Sequence, residues 1–211
     1  MRVLAIMTGK AEQIATKSGV SGINKRPVEG KVMIGPQGLA GDVICDLNNH
    51  GGVDQAVYLF TEPDLIKWSA DLGRTIAPGS FGENLLISGL KSADLSVGDQ
   101  LSVGGALLEV TSPRIPCETL NVRMGDRTFG KRFMRACRPG FYARVLRPGR
   151  VAAGDRVDLQ PWGGQPVTMR ELFLGYPFPS PLPEFVGRCL AAPIHTKLRE
   201  KLATIGLDTK Q

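Results

Sequence analysis

Short apolar runs dominate the first three quarters of the chain, and their alternating or continuous character predicts β-strands. The runs occur at residues 3–7, 56–60, 84–87, 100–103, 107–111, 142–146 and 156–159. Glycine-rich turns separate them. Three Gly-Asp pairs, which begin at Gly41, Gly98 and Gly154, precede apolar runs and are typical of tight turns that lead into strands.

Few helices are predicted between these strands. Residues 62–72 form a candidate helix, with Thr61 as its N-cap and Asp64 three residues further on. Residues 129–135 predict a second, basic helix. Because strand and helix do not alternate as they do in a doubly wound sheet, we expect a mainly β, barrel-like domain.

The pattern changes after Pro161, where helix signals replace strand signals. The signals are Thr168 with Glu171 three residues on, Ser180-Pro181, and the periodic residues 194–205. Each of them predicts one helix. We therefore predict two domains, a β-barrel-like domain over residues 1–162 and a small all-α domain over residues 163–211.

The composition is that of an ordinary globular protein. With 211 residues, 42% of them hydrophobic and 22% charged, the chain can bury a core without disulfides or structural metals. The first apolar run stops at Thr8, which is too short for a signal peptide, and no apolar stretch approaches the roughly 20 residues of a membrane span. The cysteines are scattered without a Cys-x-x-Cys pair or zinc spacing. We expect a soluble, cytoplasmic protein with reduced thiols and no membrane association.

The positive charge is concentrated in one segment. The chain has a net charge of +6, and residues 123–150 alone hold nine basic residues and a single acid, Asp126. Such a segment is either a solvated helical face or a site for phosphate, on a cofactor or along a nucleic acid. The four aromatic residues within it form no obvious stacking platform, so a nucleic-acid-binding module is the less favoured alternative.

Two clusters combine small residues with polar side chains. In the stretch HGGVDQAVY, His50 and Asp54 flank paired glycines that let a backbone approach a ligand. In GSFGENL, Asn84 can both donate and accept hydrogen bonds in a confined space. The simpler alternative for both is a tight turn whose polar side chain is satisfied by the backbone. A serine esterase is disfavoured, because Pro78 stands where a nucleophile elbow around Ser80 requires glycine.

A third cluster ends at Cys117, which follows a strand and a turn stiffened by prolines. Arg114, Arg123 and a helix N-terminus at Cys117 would all favour the thiolate, which either attacks an electrophile or ligates a soft metal. Within enzymes the rival to a metal ligand is a cysteine hydrolase that uses His50 or His195 as its base. The spacing in the sequence leaves that alternative open.

Six motifs, taken together and in order, resemble the MOSC family of molybdenum-cofactor proteins. They are KRPVEG, GLAGD, HGGVDQAVYLF, SFGENLL, GDQLSVGGALLEVTSPRIPC and PGFYARVL. The chain resembles in particular the bacterial subgroup with a C-terminal three-helix extension, which includes the YiiM-type 6-hydroxylaminopurine reductases. The resemblance covers nearly the whole chain.

The resemblance implies a site and a reaction. Cys117 would be the protein ligand to the molybdenum of a molybdopterin. The pterin pocket would be lined by Lys25, Arg26, His50, Asp54, Asn84 and Arg114. The substrate would be a small N-hydroxylated base, reduced with electrons from a separate flavin or iron-sulfur reductase. A carrier of the cofactor or of its sulfur would share every one of these residues.

Two histidines and the C-terminal helices complete the predictions. His50 is the natural proton shuttle near neutral pH, with Asp54 as its orienting partner, and both join Cys117 as candidate catalytic residues. His195 is predicted to be structural. The C-terminal helices have three open roles, which are forming a homodimer, covering the pocket and docking the electron donor.

Overall fold

The computed structural model describes residues 1–47 and 49–208, with side chains described through residue 205. The strands in this part of the chain are β1 Val3–Thr8, β2 Glu12–Gln13, β3 Val20–Ser21, β4 Arg26–Pro27, β5 Val32–Gly35, β6 Gly38–Leu39, β7 Val57–Thr61, β8 Leu85–Ile87, β9 Gln100–Val103, β10 Ala106–Pro113, β11 Phe141–Arg147, β12 Gly149–Val151 and β13 Val157–Gln160. The α-helices are α1 Glu62–Leu72, α2 Glu118–Met124, α3 Phe129–Ala136, α4 Met169–Gly175, α5 Pro183–Ala191 and α6 Thr196–Asp208. Short 3-10 helices lie at Val53–Gln55 and Ser92–Asp94.

One large mixed sheet organises the molecule. Its eight strands have the order β13-β9-β10-β11-β7-β8-β1-β4, and every neighbouring pair is antiparallel except β7 and β8, which are parallel. The remaining strands form a three-stranded sheet, β12-β5-β6, and the β2-β3 hairpin. The fold is therefore mixed α/β, and the expected mainly β character is only partly correct.

The large sheet curls without closing into a barrel. A single antiparallel bridge, Arg2 to Arg156, joins the beginning of β1 to the segment before β13. The Val157 N–H donates to the Met1 carbonyl at 3.0 Å beside that bridge. Val3 also bonds Asp155 and Gly154 through backbone groups, at 2.9 and 2.8 Å. These bonds do not make the two strands neighbours in the sheet, so the sheet is not a closed barrel and the expected barrel-like domain is only partly correct.

Apolar side chains fill both faces of the sheet. One cluster joins the sheet to α4, α5 and α6, and Leu172, Cys189 and Leu202 lie in it without exposure above 1%. The other cluster packs α1, α2 and α3 against the opposite face around Trp68, with its ring 5.6 Å from that of Phe133. The C-terminal helices thus share a core with the strands. The domain boundary at residues 162 and 163 stays a prediction.

All seven predicted strands are present, but one turn was predicted wrongly and one helix cap only partly correctly. Gly41 and Asp42 precede no strand, because the chain from residue 40 to residue 47 forms turns and irregular backbone. Thr61 begins α1 without a side-chain capping bond. The Asp64 carboxylate instead accepts a hydrogen bond from the Ser92 N–H at 3.0 Å, and this bond connects α1 to the loop after β8.

The α-helices of the described chain were predicted in part. Of helix α2 only the N-terminus at Cys117 was predicted, whereas α1, α3 and the three C-terminal helices were expected close to where they lie. None of the helices in residues 1–47 and 49–208 combines the length and the apolar character of a membrane span.

The predicted cap of α4 is present and gives a test of local stability. The Glu171 N–H donates to Thr168 Oγ1 at 3.1 Å, and the Thr168 N–H donates to Glu171 Oε2 at 2.9 Å. We expect Thr168→Ala to lower the free energy of unfolding by about 1 kcal/mol, because an N–H group of the first turn loses its partner. Urea unfolding measures this, with Ser180→Ala, at an exposed hydroxyl, as the matched control. Equal losses in the two variants would rule out the capping effect.

Candidate functional site

Strand β10 leads directly into the turn that carries Cys117. Pro113 ends the strand, and Pro116 restricts the backbone immediately before the cysteine. Cys117 is the N-cap residue of α2, with φ −129° and ψ 173°. Its side chain is half-buried. The predicted helix N-terminus at Cys117 is therefore present, and it places the sulfur beside backbone N–H groups that favour an anion.

The loop that carries His50 crosses next to β10. The His50 N–H donates to the Asp46 carbonyl at 2.9 Å, and the 3-10 turn Val53–Gln55 follows. Thr111 of β10 donates its hydroxyl to the Asp54 carbonyl at 2.6 Å, which fixes the loop on the sheet. This arrangement brings the His50 side chain into hydrogen-bonding contact with Cys117, although 66 intervening positions separate them in the sequence.

The surroundings of Cys117 favour its thiolate. Burial opposes ionisation, but the hydrogen bond from His50, the charge of Arg114 and the backbone N–H of Leu120 outweigh it. Together they lower the pKa of the Cys117 thiol to about 6. The sulfur is therefore mostly ionised near neutral pH. Cys137 and Cys189 differ, because burial raises the pKa of both thiols.

Arg114 is a buried cation close to Cys117. Its guanidinium carbon lies 5.0 Å from the centre of the Tyr58 ring, and the residue is 5% exposed. The fully buried Glu83 adds a favourable charge interaction. Glu83 accepts hydrogen bonds from the N–H groups of Gly79 and Phe81, at 2.6 and 3.0 Å, although burial still raises its pKa. The motif GSFGENL thus curls around an acid that faces Arg114.

Lys25, Asp42 and Asn84 form a second buried polar group. Lys25 and Asp42 make an ion pair whose side chains are 8% and 5% exposed. Asn84 donates to Asp42 Oδ2 at 2.8 Å and accepts from the Tyr58 N–H at 3.1 Å. Burial lowers the pKa of Lys25, and the Asp42 charge opposes that effect. The amide and the ion pair hold three separate chain segments together.

Two neighbouring cavities meet at Cys117 and His50. The smaller one, of about 90 Å³, is lined by Lys25, Asn84 and Arg114 among others. The larger one has a volume of about 530 Å³, and residues of α6 and of the α4–α5 connection form part of its wall. The side chains of Cys117, His50 and Gln55 lie on the walls of both cavities. One of the open roles of the C-terminal helices, covering the pocket, is therefore consistent with their position.

Two of the residues predicted for the pocket lie elsewhere. Arg26 is exposed at the surface and pairs with Glu12 at 2.8 Å. The Asp54 carboxylate accepts from the Thr196 N–H and pairs with Arg144, at 2.7 and 2.8 Å, so it anchors the start of α6. Neither residue is on the wall of either cavity. The expected orientation of His50 by Asp54 has no support in these contacts.

The sequence reading missed three residues of the site. Asp42 lies in the GLAGD motif and was interpreted only as turn chemistry, and Gln55 lies in HGGVDQ beside the residues that were chosen. Glu83 precedes Asn84 in a motif where only the amide attracted notice. Each could have been found by asking why a polar residue stands inside a motif otherwise made of small and apolar residues.

Two of the nine basic residues in the segment 123–150 are held by contacts within the protein, while seven are exposed. Arg138 pairs with Asp71 and stacks 4.6 Å from the centre of the Trp68 ring. Arg144 pairs with Asp54 and Glu109 at 2.8 and 3.1 Å. These contacts give Arg138 and Arg144 a structural role.

The donor set of the site fits a molybdopterin. Among the described residues, no group of three or more His, Cys, Asp and Glu is placed to hold a metal ion. A metal bound by Cys117 would therefore take its other ligands from an organic partner. Two buried polar atoms on the cavity walls, Arg114 Nε and Gln55 Oε1, have no hydrogen-bond partner within the described chain. A polar, anionic cofactor would bond to these two atoms and would balance the charge of Arg114.

Comparison with known proteins identifies the class to which this site belongs. Residues 46–158, which include the His50 loop and Cys117, match the model of the MOSC domain. The chain therefore belongs to the MOSC domain family. Its relatives in sequence and structure include YiiM proteins, so the YiiM-like subgroup that the motifs suggested is supported as well.

Three curated proteins illustrate the sequence relationships. YflK of Bacillus subtilis, an uncharacterized protein, is 32% identical over 170 residues, covering 80% of this chain and 77% of YflK. YiiM of Escherichia coli is 30% identical over 158 residues, covering 73% and 70%. A protein of Gibberella moniliformis named Reductase is 30% identical over 164 residues, covering 74% of this chain but only 29% of that longer protein.

Solved structures show the same fold over almost the entire chain. The crystal structure of YiiM from Geobacillus stearothermophilus matches with a TM-score of 0.81 at 25% identity, covering 97% of this chain and 98% of that one. The crystal structure of YiiM from Escherichia coli matches with a TM-score of 0.78 at 24% identity, covering 99% and 94%. The C-terminal helices are therefore part of the shared architecture.

Proposed function

We propose that this protein is a molybdenum-cofactor-dependent reductase of N-hydroxylated compounds of the 6-hydroxylaminopurine type. Membership of the MOSC family and similarity to YiiM and to a protein named Reductase support an oxidoreductase-type role. The observation that carries the proposal is the position of Cys117. Its thiol has a pKa of about 6 and lies where two cavities meet, between His50 and Arg114.

The reaction and its components balance as follows. Reduction of R–NHOH with two electrons and two protons breaks the N–O bond and yields R–NH2 and water. The molybdenum cofactor, when bound, supplies two-electron chemistry and a place for the departing oxygen. The electrons would come from a separate flavin or iron-sulfur reductase. The homodimer that the sequence suggested stays a prediction.

Each residue of the site has a role in this proposal. The Cys117 thiolate would ligate the metal, and thiolates are the ligands that soft metals prefer. Arg114 keeps that sulfur ionised and offers its free Nε–H to an anionic or polar group of the cofactor. Lys25 and Asn84 lie on the wall of the smaller cavity. Lys25 is paired with Asp42, and the Asn84 amide is bonded to Asp42 and Tyr58, so in this proposal both residues hold the wall of the pterin pocket in shape.

Turnover of the holoprotein tests the proposal. Protein purified from a host that makes the cofactor is supplied with a chemically reduced viologen, and formation of adenine from 6-hydroxylaminopurine is followed without oxygen. We expect reduction by the holoprotein and none by the same protein from a host that lacks the cofactor. Molybdenum-loaded protein that forms no adenine would contradict the proposed reaction and would favour a carrier of the cofactor.

His50 is proposed to serve two purposes that substitution separates. It hydrogen-bonds the Cys117 sulfur and can deliver a proton to the departing oxygen. We expect His50→Ala to raise the pKa of Cys117 above about 6, so that alkylation by iodoacetamide at pH 7 becomes slower. Turnover should fall by about 100-fold, because a general acid is lost.

The matched variant is His50→Gln, whose amide retains a hydrogen-bond donor but transfers no proton at neutral pH. In this variant we expect the pKa of Cys117 to stay close to about 6, whereas turnover should be as low as in His50→Ala. The pH profile of alkylation and the rate of adenine formation measure the two effects. Unchanged turnover in His50→Ala would end the proton-transfer role of this residue.

A second candidate function is supported by the contact between His50 and Cys117. A cysteine with a pKa of about 6 beside a histidine is also the pair that a cysteine hydrolase uses. This candidate predicts hydrolysis of an activated ester by metal-free protein, with loss of the activity after alkylation of Cys117. The reductase proposal predicts no such turnover, so one assay on the metal-free protein separates the two.

A further inference from the structure

His195 is a buried histidine that reaches the site from the C-terminal helices. It lies immediately before α6, is 8% exposed, and forms part of the wall of the larger cavity together with Cys117 and His50. Its backbone N–H donates to the Thr111 carbonyl of β10 at 3.2 Å. The residue that the sequence suggested to be structural is therefore in the same cavity as the proposed metal ligand.

The hydrogen bonds of the ring decide where its proton lies. The Lys197 N–H donates to His195 Nδ1 at 3.0 Å, as an N-cap side chain accepts from the first turn of a helix. Burial lowers the pKa of His195, so the ring is neutral near pH 7 and has one proton. Because Nδ1 is an acceptor, that proton is on Nε2. Among the residues that the structure describes, Nε2 has no hydrogen-bond partner.

The ring is held firmly in place by its neighbours. Asp54 accepts from the N–H and the hydroxyl of Thr196, both at 2.7 Å, and pairs with Arg144 at 2.8 Å. Arg144 also donates to the Ile194 carbonyl at 3.2 Å. These bonds fix the residues on both sides of His195. Asp54, predicted to orient His50, instead positions the start of α6.

We propose that His195 Nε2–H donates a hydrogen bond to an acceptor atom of the substrate bound in the larger cavity, so that this residue favours compounds with a ring nitrogen over those without one. The ring lies on the cavity wall and Nδ1 is already used by Lys197, which leaves Nε2–H as the group that can bond a ligand. A cavity of about 530 Å³ is in the range that binds a small organic molecule. Tyr142, Tyr176 and Phe178 contribute aromatic surface to the same wall, which suits a flat ring.

Two substitutions separate the helix cap from the donor. In His195→Asn the amide oxygen takes the position of Nδ1 and retains the cap, but no donor reaches the position of Nε2. In His195→Gln the longer amide places an N–H near the position of Nε2 and weakens the cap. A role confined to the cap predicts that Asn replaces histidine better than Gln, whereas substrate binding predicts the reverse.

The probes are adenine, 6-hydroxylaminopurine and phenylhydroxylamine, which has no ring nitrogen. We expect His195→Asn holoprotein to bind adenine about fivefold more weakly by calorimetry, since one neutral hydrogen bond is lost, with unfolding temperature and molybdenum content unchanged. His195→Gln should restore most of the affinity. The ratio of kcat/KM for 6-hydroxylaminopurine to that for phenylhydroxylamine should fall about fivefold in His195→Asn.

The substrate class in this inference rests on the proposed reductase function, but the two fail in different ways. If the wild-type protein reduces neither compound, the proposed function fails, while the adenine titration still tests His195. Adenine that does not bind the wild type, or that binds His195→Asn as tightly as the wild type, overturns the inference. The inference is also overturned if His195→Asn and His195→Gln lose adenine binding and thermal stability to the same extent.

Discussion

Replacing Cys117 with serine is expected to remove molybdenum from the purified protein and to lower reductase turnover by more than about 100-fold. A serine hydroxyl stays protonated near neutral pH, whereas the Cys117 thiol, with its pKa of about 6, is mostly ionised. The metal would lose its protein ligand. Elemental analysis of the purified variant and the rate of adenine formation measure the two losses.

The fold should tolerate this substitution. Cys117 is half-buried, so at pH 5, where its thiol is mostly protonated, the free energy of unfolding should change by no more than about 1 kcal/mol. Cys137→Ser is the matched control, since it removes a thiol that is on the wall of neither cavity, and it should retain the metal. Stoichiometric molybdenum in Cys117→Ser would refute the assignment of the ligand.

Substitution of Arg114 by glutamine is expected to have the second largest effect, on stability as well as on the thiol. It removes one of two cations, Arg114 and Lys25, that interact with the fully buried Glu83, which should lower the free energy of unfolding by about 3 kcal/mol. It also removes a charge that stabilises the thiolate, so the pKa of Cys117 should rise. Urea unfolding and the pH profile of iodoacetamide alkylation measure these changes.

The destabilisation should depend on pH in a defined direction. The folded protein lowers the pKa of the Cys117 thiol from 9.0 to about 6. Its ionisation therefore contributes stability that is fully present above pH 9 and is lost as the pH falls through 6. Because Arg114→Gln raises the folded-state pKa, it should destabilise more at pH 8 than at pH 5.

Arg123→Gln, at an exposed arginine, is the control for this experiment. It should change stability by less than about 0.5 kcal/mol at either pH. If Arg114→Gln behaves like this control at pH 8, the guanidinium is not what keeps the sulfur ionised.

The longer elements of the fold were predictable from the sequence, and the shorter ones were not. Strands such as β10 and β11 have enough residues for a periodic pattern, whereas β2, β3, β4 and β6 contain two residues each and owe their pairing to tertiary contacts. Only the N-terminus of helix α2 was predicted, because its N-cap is a cysteine, outside the usual Ser, Thr, Asp and Asn. Whether the sheet closes depends on how its two ends meet, at Arg2 and Arg156, and no local sequence pattern reports this.

The site shows a similar division between local and distant information. The turn that carries Cys117 has a local signature of prolines and an arginine. In the structure these residues form a turn that leads into helix α2. Asp54 was paired with His50 because the two flank the paired glycines. Asp54 instead lies within the 3-10 turn Val53–Gln55, and its carboxylate contacts Thr196 and Arg144. The approach of α6 to Cys117 depends on long-range packing, so the position of His195 in the cavity could not be predicted from the sequence.

The molybdenum content of the wild-type protein tests most directly whether Cys117 holds this metal. For protein purified from a host that makes the cofactor, we expect about one molybdenum per chain, with the pterin released on denaturation. Correctly folded protein that contains no molybdenum, and that gains neither metal nor reductase activity when the cofactor is supplied, would contradict the proposed site.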